Sequence, residues 1–98
     1  MTVDIRKDGT TLTLCVEGRL DTNTSPDFEA QIKESLDGVT ALTIDIKDLV
    51  YISSAGLRVL LSLQKRMNEQ GSMKVTNVCD DIMEIFEVTG FSEILTIE

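Results

Sequence analysis

The chain has 98 residues and a formal net charge of −8, enough for one hydrophobic core, since a chain of this size buries roughly 60–70% of the surface its unfolded form exposes. Its nine Lys and Arg are scattered among 17 Asp and Glu, which argues against nucleic acid and against an anionic membrane as partners and favours a partner with a basic patch. Histidine is absent, so Ser/His/Asp and Cys/His catalysis cannot be built, and the commonest zinc ligand is missing.

No apolar run is long enough to span a bilayer. Met1-Thr2-Val3-Asp4-Ile5 carries neither the basic nor the apolar region of a signal peptide, so the expected compartment is the cytoplasm. Cys15 and Cys79 are far apart and belong to no metal-spaced cluster. They are expected to be reduced, half-buried thiols, and no cofactor is expected.

In chain order, Val3 and Ile5 alternate with polar neighbours as a first short strand. Lys7-Asp8-Gly9-Thr10 carries an Asp-Gly hairpin signal. Leu12, Leu14 and Val16 then share one face of a second strand, with Thr11, Thr13, Cys15 and Glu17 on the other. Gly18-Arg19-Leu20-Asp21 is expected to leave the sheet. Ser25 suits an N-cap, Pro26 the first helical position and Asp27 the positive end of the dipole. Phe28, Ile32, Ser35 and Leu36 follow at helical spacing, and Gly38 ends that helix.

Leu42, Ile44 and Ile46 mark a third strand, followed by a loop over Lys47–Ile52. From Ser54 to about Glu69 the period is helical, with Gly56, Leu60, Leu63 and Met67 as one stripe and Gly71 as the stop. Met73, Val75 and Asn77 alternate as a fourth strand. Cys79 or Asp80 caps a short helix carrying Ile82, Ile85 and Phe86, closed by Gly90. The tail Ile94-Leu95-Thr96-Ile97 reads as one more short strand. The order β-β-α-β-α-β-α-β predicts an α/β fold. Its sheet is mixed and four- to five-stranded, with helices mainly on one face and a partly wetted opposite face.

The informative stretch runs from Asp48 to Leu61. A connection from a strand reaches a helix N-terminus at Ser54, as N-cap or first-turn residue. Free N–H groups and about half a positive charge from the dipole favour an anion there. Ala55 and Gly56 leave the hydroxyl uncrowded. Glycine costs about 1 kcal/mol inside a helix, so close approach of a neighbouring strand or a partner's backbone is expected at Gly56. As a plain cap, Ser54 would need no further role.

Asp48-Leu49, the run Tyr51-Ile52-Ser53-Ser54-Ala55-Gly56-Leu57 and the segment Gly18-Arg19-Leu20-Asp21 occur here in a matching order of strands and helices. By these residues the chain resembles the STAS domain family, and within it the single-domain anti-sigma factor antagonists of bacteria. The resemblance spans nearly the whole chain and implies one STAS domain over residues 1–98 that is not an enzyme. It implies a cytoplasmic phosphoprotein acting by partner switching in transcription regulation. Its partners would be an anti-sigma factor with serine kinase activity of the histidine-kinase ATPase type, and a PP2C-type phosphatase. Matched on the Gly-Leu pair, the acceptor serine is Ser54. The dephosphorylated form would bind the anti-sigma factor and free the sigma factor.

The partner-binding set implied is Asp21, Ser53, Ser54, Ala55, Gly56, Leu57, Arg58 and Leu61. Taken alone, Asp21 is a turn aspartate, Arg58 a solvated charge and Leu61 a packing residue. Many family members have Asp immediately before the acceptor, where this chain has Ser53, which leaves Ser53 as a rival acceptor. Longer members carry a further C-terminal helix. With the chain ending at Glu98 that helix is expected to be absent. The alternative function is an unphosphorylated STAS scaffold, or a subunit of a larger complex such as a lipid transporter or sensory assembly.

Overall fold

Gly9 and Thr10 close the hairpin that opens the chain in this computed structural model, which describes residues 1–98. Strand β1 (Thr2–Asp8) pairs antiparallel with β2 (Thr11–Leu20), from Thr2↔Glu17 to Asp8↔Thr11. Gly9 has φ +61°, the left-handed conformation that a two-residue hairpin needs and that glycine adopts without strain. The loop falls one residue later than the Asp-Gly pair suggests, because Asp8 still pairs across the ladder.

β3 (Ala41–Ile52) lies parallel to β2, and β4 (Ser72–Thr76) parallel to β3, giving a mixed sheet of order β1-β2-β3-β4. Helices α1 (Ser25–Ser35) and α2 (Ser54–Gln70) make the crossovers; α3 (Asp80–Thr89) and α4 (Phe91–Ile94) follow β4. Alternation sorts the two faces. Leu12, Leu14 and Val16 of β2 and Leu42, Ile44 and Ile46 of β3 are buried. Phe28, Ile32 and Leu36 at α1, Leu60, Leu63 and Met67 of α2, and Ile82 and Phe86 of α3 complete the same core. Each such side chain contributes roughly 1.5–3 kcal/mol when fully buried. The opposite face is polar and uncovered, lined by Thr2, Asp4, Arg6, Glu17, Asp45 and Lys47. The α/β class, the mixed sheet and the one-sided helical layer therefore stand as expected.

The two central strands are longer than their sequence suggests. Gly18–Leu20 does not leave the sheet, and Lys47–Ile52 is strand rather than loop. Cys15 faces Asp45, but Glu17 faces Asp48; Gly18 faces Leu49, but Arg19 faces Tyr51. β3 thus carries an extra residue at each of two bulges, and its buried residues Ile46, Leu49 and Ile52 recur every third position. A period of three matches neither strand nor helix, which is why the extension escapes a periodicity reading. Gly18 sits in this irregular stretch with φ +99°.

The expected last strand does not form. Gly90 ends α3 in the left-handed conformation, φ +82°, and the chain turns at once into α4. Only Ile97 reaches the sheet, as a single parallel bridge to Val75. The sheet therefore has four strands. α4 takes up Ile94, the first residue of the alternating tail. Cys15 is half-buried and Cys79 exposed at the start of α3, both as free thiols; the expectation of two half-buried thiols holds only for Cys15.

Candidate functional site

Ile52 ends β3, and Ser53 turns the chain into α2 with an extended backbone, φ −97° and ψ 176°. Its Oγ accepts the N–H of Gly56 at 3.4 Å, and its carbonyl accepts the N–H of Leu57 at 2.9 Å. Its own N–H donates to the Leu20 carbonyl at 2.9 Å. Ser53 is therefore the N-cap. Ser54, which the sequence allowed as either cap or first-turn residue, is the first helical residue and is exposed. The N–H groups of Ser54 and Ala55 have no intrahelical acceptor. The first turn of α2 holds no acidic residue, so the positive end of its dipole is uncompensated from within the helix.

Gly56 fits because it lacks a side chain. A Cβ there would stand 2.8 Å from Ile52 Cγ1 and 2.9 Å from both Cγ and the carbonyl oxygen of Leu20. The close approach anticipated at this glycine is made by the end of β2. Gly56 and Leu57 are both buried, so they support the site from beneath and offer little side-chain surface of their own.

Asp21 follows Leu20 directly and organises the turn into α1. Its Oδ1 accepts the N–H groups of Asn23 and Thr24, each at 3.0 Å, while its N–H donates to Thr24 Oγ1 at 2.9 Å. Its carbonyl accepts the N–H of Ser25 at 2.9 Å. The N-cap expected at Ser25 is instead Thr24, which makes no side-chain cap hydrogen bond; Ser25 is the first helical residue, buried, with its Oγ unpartnered, and Asp21 holds the turn before them. The Thr24 N–H holds the Asp21 carboxyl below its ordinary value of 3.8, against the opposing effect of partial burial. The Asn23 N–H, the Thr24 hydroxyl and the Arg19 charge act in the same direction as the Thr24 N–H.

Arg19 Nε lies 3.8 Å from Asp21 Oδ2, and its guanidinium stacks over the Tyr51 ring, 4.2 Å from the centroid. These residues meet the start of α2 at the C-terminal ends of two parallel strands, joined by the Ser53–Leu20 hydrogen bond. Tyr51 and its neighbour Val50 are exposed. Their signal was weak, since an apolar pair read as loop carries no face.

At about 100° per residue, Ser54, Arg58 and Leu61 share the outer face of α2. Ser54 and Arg58 are exposed and Leu61 is half-buried. Ala55 turns toward α1, where a shallow groove between the two helix starts is lined by Thr22, Ser25, Glu29, Ala55 and Arg58. The structure therefore gathers Ser53, Ser54, Ala55, Arg58 and Leu61 on one helix start, with Asp21 on the turn that follows the strand beneath it.

A family model described as STAS domain matches residues 2–98. BtrV of Bordetella bronchiseptica, by name a candidate anti-sigma factor antagonist, is 32% identical over 88 residues, covering 88% of this chain and 76% of BtrV. The anti-sigma-B factor antagonist of Bacillus subtilis is 26% identical over 96 residues, covering 97% and 88%. The anti-sigma factor antagonist SpoIIAA has solved structures in unphosphorylated and phosphorylated forms. They match this fold with TM-scores of 0.78 and 0.77 at 16% identity, covering 99% of this chain and 87% and 91% of theirs. At that identity the likeness is one of fold.

Proposed function

This chain belongs to the STAS domain family, and from that premise we propose that residues 1–98 form an anti-sigma factor antagonist switched at Ser54. The dephosphorylated protein binds an anti-sigma factor with serine kinase activity and releases the sigma factor. Phosphate on Ser54 ends that binding, and a PP2C-type phosphatase restores it. The protein is a cytoplasmic binding module and not an enzyme, and it contacts neither nucleic acid nor membrane.

The observation that carries this reading is the pair of adjacent serines with different surroundings. Ser54 is exposed at the first position of α2, whereas the Ser53 Oγ is engaged as the cap. A kinase can reach Ser54 without dismantling the helix start, and the dipole favours the negative charge it leaves. The names of BtrV and of the Bacillus subtilis relative, and the two forms of SpoIIAA, support an antagonist of this kind. Asp21, Ser53, Ser54, Ala55, Arg58 and Leu61 form the contact surface, with Gly56 and Leu57 supporting it from below.

The test is incubation with ATP and the cognate kinase, followed by mass-spectrometric mapping. Phosphate on Ser54, absent from Ser54→Ala, is the expected result. Phosphate on Ser53 alone would reverse the assignment, and phosphate on neither would favour an unphosphorylated scaffold.

A further inference from the structure

We propose that Arg58 is the intramolecular receptor of the phosphate on Ser54. This rests on the reading of Ser54 as the modified residue and goes beyond it, because it names what holds the phosphate once attached. Ser54 and Arg58 are four residues apart on α2, both exposed. That spacing stacks them one helical turn apart, with the acid N-terminal to the base, the favoured orientation of a helical ion pair. A guanidinium offers a planar fork that matches two phosphate oxygens at once.

Arg58 is free to take this role. The ion pairs of the molecule are Asp4–Arg6, Arg19–Asp21, Glu29–Lys33, Asp37–Arg66 and Lys74–Glu98, and Arg58 is in none of them. No carboxylate in the first turn of α2 competes for it. Glu29, which lines the groove beside Arg58, is engaged with Lys33 at 3.7 Å. Asp21 has Oδ1 committed to its turn and Oδ2 facing Arg19. Phosphorylation therefore changes two features of the contact face together. It adds a dianion and draws the exposed Arg58 along the outer face of α2 toward the helix start, away from Leu61.

The test encodes phosphoserine at position 54 of the full chain, with Arg58 retained, Arg58→Gln or Arg58→Lys. Phosphorus NMR across pH should give a second phosphate ionisation about two- to fourfold stronger with Arg58 than with Gln, Lys being intermediate. The rise in Tm from unmodified to phosphorylated protein should likewise be larger with Arg58 than with Gln. A purely structural Arg58 would shift both forms equally and leave that rise unchanged. Equal ionisation constants and equal rises in Tm for Arg58 and Gln would overturn the proposal. Encoding the phosphoserine keeps this result separate from the kinase question. A kinase that ignores Ser54 would defeat the functional reading while leaving the phosphate titration readable.

Discussion

The Leu20 carbonyl oxygen lies 2.9 Å from where a Cβ on Gly56 would stand, and the same oxygen accepts the Ser53 N–H at 2.9 Å. One backbone atom of β2 thus fixes how close the start of α2 comes and how it is anchored. Gly56→Ala is therefore expected to destabilise the protein by about 1–3 kcal/mol through overpacking. Alanine's better helix propensity, worth about 1 kcal/mol, acts the other way. Urea unfolding decides the sign: a variant as stable as wild type would mean that helix and strand can separate at no cost.

The two serines should differ in stability as they differ in geometry. Ser53→Ala removes the acceptor of the Gly56 N–H and should cost about 0.5–2 kcal/mol. Ser54→Ala, at an exposed position with no side-chain hydrogen bond to the helix, should stay within about 0.5 kcal/mol of wild type. Equal losses in parallel unfolding curves would undo the assignment of the cap.

Asp21 should make stability depend on acid. Its folded carboxyl titrates below the ordinary 3.8. Its contribution is therefore present above 3.8 and lost as pH falls through the lowered folded value. Asp21→Asn should be less stable than wild type at neutral pH, with the difference shrinking as the solution becomes strongly acid. A difference that stays constant from neutral to acid pH would show that the charge on Asp21 does not act through this turn.

Charge on Ser54 should act on the partner and spare the fold. A phosphate brings about −1.5 to −2 charge, and at a helix N-terminus such charge is locally favourable by up to about 1 kcal/mol. Ser54→Asp is accordingly expected to melt at or above Ser54→Ala and to bind the anti-sigma factor weakly. Ser54→Ala should keep binding and lose regulation. Calorimetry of both variants, with and without the partner, separates the cases. Tight binding by a well-folded Ser54→Asp would remove charge as the switch, and weak binding by a melted one would make the mechanism conformational.

The sequence by itself determined the elements whose periods are clean. Leu12-Leu14-Val16 and Leu42-Ile44-Ile46 alternate, and Gly56, Leu60, Leu63 and Met67 recur at helical spacing, so hydrophobic burial left one choice for each. It also placed Ser54 at a helix start, because small polar residues between a strand and an apolar helical stripe have few other uses. Tertiary structure decided what depends on pairing between distant residues. The bulges that extend β3 to Ile52 exist because that strand must keep its ladder with β2 while burying every third side chain. The N-cap of α1 fell to Thr24 rather than Ser25 because Asp21 closes the turn after β2 on Thr24. Ser53 became the cap, leaving Ser54 exposed, because the Leu20 carbonyl holds the Ser53 N–H. That hydrogen bond joins residues 33 positions apart, and no local pattern encodes it.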